Sequence, residues 1–207
     1  MTDPIPTTEN DLLEKIKGGD EAAFIHLYRD RHTAIHRFAL QMSGSQSIAE
    51  DVTQEVFLAL IREVRKFDRS RGTLSAYLYG MARNMVLDHM KRRRMDVPLE
   101  ESEGQDGRSF SAQLVVMGDP LGDLTRGEAV ESLRKAVLAL PEHYREVVVL
   151  CDLHEMNYER AAKTLGCAVG TVRSRLHRAR EILLKRMTTR KEMAERIGEM
   201  KPARYAL

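Results

Sequence analysis

The most restrictive feature of this 207-residue chain is the spacing of three residues, Ala162, Gly166 and Val172. In a helix-turn-helix, the first helix needs a small side chain where the second helix packs closely against it. The turn four residues later needs a glycine, whose backbone is permissive. An apolar residue six positions further on can then wedge the second helix against the first. The spacing therefore predicts a helix-turn-helix within residues 157–181.

The second helix of this motif separates its apolar side chains from its basic ones. At about 100° per residue, one face collects the apolar side chains of Val172, Leu176, Ala179, Leu183 and Met187. The opposite face and its flanks carry Arg173, Ser174, Arg175, His177, Arg178, Glu181 and Lys185. Arginine binds phosphates and forms paired hydrogen bonds to guanine, so we interpret this face as a recognition surface for the DNA major groove. A solvated basic helix face is the alternative.

Apolar residues recur three or four positions apart along most of the remaining chain, which is typical of helices. Asp20 can cap one helix, and Ser47 with Glu50 fits a capping box for another. Residues 52–64 and 74–85 each place apolar side chains along one helix face. No stretch alternates with period two for long enough to indicate a strand.

Residues 96–127 differ from the chain on either side. They carry two Lys or Arg residues against seven Asp or Glu residues, a net charge of −5 within a chain of net charge +2. Their Gly, Ser and Asp content is typical of a linker. The sequence therefore predicts an all-α protein with two small helical domains, residues 1–95 and 128–187, joined by an acidic flexible linker. The second domain contains the helix-turn-helix, and residues 188–207 are predicted to form a helical extension of unknown role.

The composition is typical of a soluble globular protein, with 43% hydrophobic and 31% charged residues, and we expect the protein in the cytoplasm. No run approaches the roughly 18 apolar residues of a membrane span. The first residues lack the basic start and apolar stretch of a signal peptide. Cys151 and Cys167 are the chain's two cysteines, and we expect a buried, reduced pair, with a disulfide as the alternative.

The sequence gives little support to a catalytic or metal-binding function. His32 and His36 are four residues apart, but they lack the glutamate of the helical zinc motif and an obvious third ligand. The chain has no glycine-rich phosphate loop and no G-x-S-x-G motif. We therefore expect no enzymatic activity, no cofactor and no metal.

Three segments resemble, in order and spacing, the extracytoplasmic-function (ECF) group of bacterial sigma factors within the sigma-70 family. These segments are AEDVTQEVFLALI, YLYGMARNMVLDHMKRRR and LPEHYREVVVLCDLHEMNYERAAKTLGCAVGTVRSRLHRARE. The resemblance covers residues 10–95 and 128–187. It implies that the two domains are sigma regions 2 and 4, which bind core RNA polymerase and promoter DNA, and it implies an anti-sigma factor as a further partner. It supplies neither the N-terminal autoinhibitory region nor the region 3 domain of the larger family.

For region 2, the resemblance implies two sets of contact residues. The set that grips the coiled coil of the polymerase's largest subunit is Asp51, Gln54, Glu55 and Phe57. The set that recognises and melts the −10 promoter element is Arg71, Gly72, Thr73, Leu74, Tyr77, Tyr79, Arg83 and Asn84. Asn84 matches the position that reads a flipped base, and Tyr77 stands where most relatives have tryptophan. Helix-dipole charges at Asp51 and Glu55, and boundary packing of the two tyrosines, are the structural alternatives.

For region 4, the resemblance implies that the helix-turn-helix reads the −35 promoter element. The implied contact residues are Thr171, Arg173, Ser174, Arg175, His177 and Arg178. Within this set Arg175 is better placed for a phosphate or for packing, as is Arg180 just beyond it. The linker would thread through the polymerase toward the RNA exit channel.

Two other functions remain open at this point. The chain could be an adaptor that keeps a sigma-like fold in order to titrate an anti-sigma factor, although such a mimic should lose the basic residues that this chain retains. It could also be a conventional DNA-binding regulator with an unrelated helical domain. That alternative leaves the segments at residues 49–61 and 77–94 unexplained.

Overall fold

The computed structural model describes residues 9–68, 70, 72–96 and 120–199, and these residues are helical almost throughout. The helices are α1 (Glu9–Lys17), α2 (Glu21–Ser43), α3 (Gln46–Glu63), α4 (Leu74–Asp96), α5 (Pro120–Leu138), α6 (Glu142–Val148), α7 (Tyr158–Leu165) and α8 (Val169–Glu199). A 3-10 turn (Val64–Lys66) follows α3, and a π turn (Val149–Leu153) follows α6. The described residues contain no strand, which confirms the all-α prediction.

Helices α1 to α4 form an N-terminal group around one apolar core. Phe38, Val52, Leu60 and Leu78 are almost completely buried in it, as the apolar stripes of α3 and α4 predict. The Asp20 carboxylate accepts a hydrogen bond from the Ala23 amide at 3.0 Å, so the predicted cap of α2 is confirmed.

The predicted capping box of α3, with Ser47 as N-cap, is wrong by two positions. The helix begins at Gln46, and its N-cap, Ser45, makes no side-chain capping hydrogen bond. The Glu50 carboxylate instead accepts a hydrogen bond from the Gln46 side-chain amide at 2.6 Å. Because Gln46 and Glu50 are four residues apart, they meet on the helix surface, and Glu50 does not turn back to the N-cap backbone.

Helices α5 to α8 form a C-terminal group. Its centre is the run Val147–Leu150, which is buried where α6 passes into the π turn. Helix α5 begins at Pro120 and so includes residues 120–127, which the sequence analysis places in the linker. Helix α8 is continuous through residue 199, so the start of the C-terminal extension continues the second helix of the helix-turn-helix. Residues 97–119 and 200–207 lie outside the described residues.

The two groups pack directly against each other, with α4 on α7 and α2 on α5. Gly44 ends α2 with a φ of 71°, and its backbone lies against the Leu138 side chain of α5. The positive φ favours glycine here, and a Cβ at this position would lie 2.9 Å from Leu138 Cδ1 and would push that side chain aside. The apolar core therefore continues from one group into the other.

Helices of the described chain are either too short or too polar to cross a lipid bilayer.

Candidate DNA-contacting and protein-contacting surfaces

The helix-turn-helix has the geometry that its residue spacing predicts. Ala162 is buried in α7, and Gly166 ends that helix in the left-handed conformation with a φ of 63°. Val172, Leu176 and Ala179 of α8 are buried, so one face of α8 is fixed against the rest of the C-terminal group. The opposite face of α8 consequently points away from the protein.

The outward face of α8 carries the residues predicted to contact DNA. Arg173, Ser174, His177 and Arg178 are exposed. The Arg173 guanidinium lies 5.8 Å from the centre of the Tyr158 ring, close enough for a cation–π contact. His177 Nε2 lies 3.6 Å from a carboxylate oxygen one turn further along the helix. Arg178 makes no hydrogen bond or ion pair within the described chain, so its five donors are available to a ligand.

Two residues of the predicted set and one neighbour lie off this face. Thr171 and Arg175 are half-buried on the flanks of α8. Arg180 forms a two-pronged ion pair with Asp152 of the π turn, with N–O distances of 2.5 Å and 3.1 Å. Paired guanidinium–carboxylate hydrogen bonds are strong and directional. Arg180 therefore braces α8 against the π turn, the packing role that the sequence analysis gives as one of its alternatives.

The predicted −10 residues on α4 differ in their accessibility. Asn84 is exposed, and its side-chain oxygen accepts a hydrogen bond from Arg83 at 3.2 Å. Tyr77 is half-buried beside the Phe67 ring. Tyr79 is only 8% exposed and packs edge-on against Phe38, so a base cannot stack on it in this arrangement. Boundary packing, the structural alternative for the tyrosines, is what the structure shows for Tyr79.

The loop before α4 faces the C-terminal group across a cleft. Gly72 and Thr73 line this cleft of about 690 Å³, and Arg160 and Lys163 of α7 line its other wall. The Thr73 hydroxyl accepts a hydrogen bond from the Ala76 amide at 3.2 Å and so caps α4. Arg71 lies outside the described residues.

Leu74, the next residue of the predicted −10 set, belongs to the protein interior. Its side chain is 1% exposed, so Leu74 offers no side-chain contact to DNA in this arrangement. Leu74 begins the apolar face of α4, and burial of that face against the N-terminal core leaves its side chain no route to a ligand. The Leu74 side chain can therefore influence DNA contact by fixing the loop that precedes it.

The residues predicted to bind polymerase also differ in their exposure to solvent. Asp51, Gln54 and Glu55 are exposed along α3, and Glu55 forms a hydrogen bond with His89 of α4 at 3.1 Å. Phe57 is 3% exposed and lies against the rings of two α2 residues. The Phe57 side chain therefore does not lie on the surface in this structure, contrary to the position expected of an anchor, and its part in polymerase binding stays a prediction. Its place beside Val56 and three residues before Leu60, on the edge of the buried stripe, is the sequence signal for this burial.

Other apolar side chains of α2 and α3 take the exposed position expected of Phe57. Tyr28, Leu58 and Ile61 are exposed at a shallow groove of about 410 Å³ that also includes Gln54. Leu58 and Ile61 lie off the buried stripe of α3 and three residues apart, so they share its outer face. This spacing in the sequence identifies them as surface residues. An apolar patch bordered by polar groups is typical of a protein–protein contact.

The histidine and cysteine pairs show no metal-site geometry. The His32 and His36 rings stack at 6.2 Å between centroids, and burial, together with the neighbouring His32, lowers the pKa of His36. Within residues 9–68, 70, 72–96 and 120–199, no three potential ligands cluster. Both cysteines are free and half-buried, and burial raises the pKa of the Cys151 thiol to about 11. A thiol with that pKa is protonated at neutral pH and is a poor nucleophile.

Comparison with known proteins gives matches over both helical groups. Residues 27–95 match sigma-70 region 2, and residues 130–183 match sigma-70 region 4. The ECF RNA polymerase sigma factor SigW of Bacillus subtilis is 31% identical over 180 residues, which are 84% of this chain and 94% of that protein. The ECF RNA polymerase sigma factor SigE of Mycolicibacterium smegmatis is 34% identical over 80% of this chain, which spans 63% of that protein's length.

A similar fold occurs in a solved complex. The structure is that of the sigma factor RpoE in complex with the anti-sigma factor NepR from Bartonella quintana. It matches 80% of this chain and 96% of that chain, with a TM-score of 0.60 and 24% sequence identity. The arrangement of helices described above therefore has a precedent in a solved protein.

Proposed function

The chain belongs to the ECF group of the sigma-70 family, and from that premise we propose a division of promoter reading between its two helical groups. The chain is a sigma factor that binds core RNA polymerase and directs promoter-specific initiation of transcription. The C-terminal group reads the −35 element with α8. The N-terminal group binds polymerase through α3 and recognises and melts the −10 element through α4 and the loop before it.

The observation that carries this proposal is the orientation of α8. Val172, Leu176 and Ala179 fix one face in the core, and Arg178 on the other face is exposed and unpaired within the described chain. A helix held in this way can enter the major groove and present arginine to base edges. The flanking Arg175 is placed for a phosphate, which would add affinity without sequence preference.

In the N-terminal group, Asn84 and the α3 carboxylates are the exposed members of the predicted sets. The Asn84 amide has both a donor and an acceptor, which suits it to reading the edge of a base removed from the duplex. Asp51 and Glu55 present negative charge beside the apolar side chains Leu58 and Ile61. That combination fits a basic helical hairpin with apolar side chains of its own.

The proposed domains follow from this division. Residues 1–95 correspond to region 2, residues 128–187 to region 4 and residues 96–127 to the linker between them, although α5 already begins at residue 120. Residues 188–207 form a C-terminal extension whose role stays open. The acidic charge of the linker suits a path lined by basic groups that otherwise hold nucleic acid.

The same proposal covers partners, chemistry and location. Because the RpoE structure contains an anti-sigma factor, we propose that this chain also has one. A sigma factor acts by binding, and the proposal assigns this chain no catalytic step, no cofactor and no metal. Its polymerase and DNA partners place it in the cytoplasm.

Selection of genomic DNA by reconstituted holoenzyme tests the proposed division. Core polymerase with this protein should enrich fragments that share two short elements at a constant spacing, and core polymerase alone should not. An adaptor that only titrates an anti-sigma factor would enrich nothing. A regulator that binds DNA by itself would enrich a single element, with or without polymerase.

A further inference from the structure

Polar contacts between the two helical groups converge on the α4 residues predicted to contact the −10 element. Arg83 Nε donates a hydrogen bond to a carboxylate oxygen of Glu146, on α6, at 2.6 Å. Glu146 is only 3% exposed. A buried carboxylate is costly unless a cation pairs with it, so Glu146 requires Arg83 while the groups are together.

A second contact lies one turn away on α4. The Tyr79 hydroxyl and His154 Nδ1 are 2.8 Å apart, and His154 Nε2 lies 2.8 Å from the Gln41 side-chain oxygen. Because that oxygen only accepts hydrogen bonds, Nε2 carries the proton and Nδ1 accepts from the tyrosine. His154 thus joins α2 and α4 of the N-terminal group to the C-terminal group.

Arg145 extends the interface to the end of α2. Its side chain is buried and donates hydrogen bonds to the backbone oxygens of Met42 at 2.7 Å and Leu140 at 3.0 Å. Met42 lies in the last turn of α2, where carbonyl groups have no partner within the helix and the helix dipole favours a cation. The interface is therefore built from specific hydrogen bonds as well as from apolar packing.

This arrangement is incompatible with simultaneous reading of both promoter elements. Elements centred at −35 and −10 are about 25 base pairs apart, which is about 85 Å along B-form DNA at 3.4 Å per base pair. A folded chain of this length has a radius of gyration of about 17 Å. While α4 touches α6 and α7, the surfaces of α8 and α4 cannot lie 85 Å apart.

We propose that the contacts among Gln41, Tyr79, Arg83, Glu146 and His154 form an intramolecular lock that keeps Arg83 and the Tyr79 hydroxyl from contacting the −10 element until the two groups separate. This inference rests on the proposed function of α4. The Glu146 carboxylate pairs with Arg83 in the way that a DNA phosphate would. His154 accepts a hydrogen bond from the Tyr79 hydroxyl. The lock therefore restrains DNA binding by the protein while it is not bound to polymerase. Separation of the groups would release the Arg83 guanidinium and the Tyr79 hydroxyl in a single step.

Small-angle X-ray scattering of the full chain tests the closed arrangement without reference to transcription. Glu146→Arg places two cations together, so its radius of gyration should exceed that of wild type. Adding Arg83→Glu restores an opposite pair and should return the radius to the wild-type value. Gln41→Ala removes a single hydrogen bond of the lock, so it should also increase the radius of gyration above that of wild type, but by a smaller amount than Glu146→Arg. Glu142→Gln, at an exposed carboxylate of the same helix, is the matched control and should have no effect.

A transcription titration then tests the restraint. If the closed form lowers the fraction of competent protein, Glu146→Gln should reach half-maximal run-off at a lower protein concentration than wild type. Circular dichroism must first show that the variant is folded, and Gln41→Ala gives a second, milder variant for the same titration. Unchanged radii for Glu146→Arg and Gln41→Ala would overturn the lock. Larger radii with unchanged half-maximal concentrations would overturn its role as a restraint. Absence of run-off with wild type would instead contradict the proposed function, and the scattering result would still decide whether the groups are locked.

Discussion

The Tyr79 hydroxyl and the His154 imidazole meet at 2.8 Å although 75 residues separate them in the chain. Burial, with a smaller contribution from the positive charge of Arg37, lowers the pKa of His154 to about 4 from its ordinary value of 6.5. Burial also raises the pKa of Tyr79, so the pair is neutral across the physiological range. The two residues therefore form one neutral hydrogen-bonded contact between the helical groups.

This contact predicts that acid destabilises the closed protein. Between pH 6.5 and about 4, His154 takes up a proton in the unfolded protein, where it is exposed, and stays neutral in the folded protein, where it is buried. The stabilising contribution is therefore complete above pH 6.5 and is lost as the pH falls toward 4. Urea unfolding midpoints measured from pH 7.5 to pH 4 should fall more steeply for wild type than for His154→Asn. Parallel curves for the two proteins would contradict the assignment, and the carboxylates, which titrate in both proteins, cancel in the comparison.

A second prediction separates the roles of two arginines on α8. Arg178 is exposed on the outward face, so Arg178→Ala should relax base preference at particular −35 positions and lose about 1–3 kcal/mol of discrimination. Arg175 is half-buried on the flank, so Arg175→Ala should weaken binding to all sequences and reduce the salt-dependence slope by up to about one unit. Holoenzyme binding to a randomised −35 library at several salt concentrations measures both effects.

The α8 prediction has a matched control in the same helix. Lys185 is exposed two turns beyond Arg178 and outside the implied contact set, so Lys185→Ala should remove a cation without changing base preference. If Arg178→Ala lowers affinity uniformly across the library, as Arg175→Ala does, α8 is an electrostatic anchor and not a base reader.

The helix-turn-helix and the apolar faces of α2, α3 and α4 are predictable because they depend on residues close together in sequence. Ala162, Gly166 and Val172 lie within ten positions of one another, and their packing follows from helix geometry alone. The contacts of Glu146 and His154 depend on partners 63 and 75 residues earlier in the chain. A helical pattern fixes which face of a helix is apolar. It does not fix which other helix covers that face.

The burial of Phe57 and of Leu74 depends in both cases on tertiary packing. Phe57 and Leu74 lie at the edge of apolar stripes, where an aromatic or aliphatic side chain can turn toward the core or toward solvent. The packing of α2 against α3 turns the Phe57 side chain toward the core. The core around α4 does the same for Leu74. A resemblance to a motif assigns such residues to a contact surface without this tertiary information.

A third prediction concerns Asn84 and separates promoter melting from base capture. Asn84→Ala should impair open-complex formation on duplex promoter DNA and should cost less on a template that is already unpaired at the −10 element. The variant's deficit need not vanish on the second template, because unpairing the bases and capturing one of them are separate steps, each with a free energy of about a few kcal/mol. Permanganate reactivity of unpaired thymines measures opening on both templates. Wild-type activity of the variant on both would remove Asn84 from the site.

A fourth prediction concerns the α3 surface. Reversing both charges with Asp51→Lys and Glu55→Lys should weaken binding to core polymerase while the circular dichroism spectrum stays that of wild type, because both side chains are exposed. Glu55 also loses its hydrogen bond to His89, so a small change in thermal midpoint is expected. A double reversal at Glu14 and Glu21, on α1 and α2, serves as the charge-matched control. Core binding that is equal for the two double variants would contradict the assignment of α3 to polymerase.

The most direct test of the central claim is run-off transcription from a selected promoter with purified core polymerase. The protein should convert core polymerase, inactive alone on this template, into an enzyme that starts at one position downstream of the two elements. Base changes in either element should abolish that transcript. A transcript that appears equally without the protein, or no transcript although the protein binds core polymerase, would contradict the account.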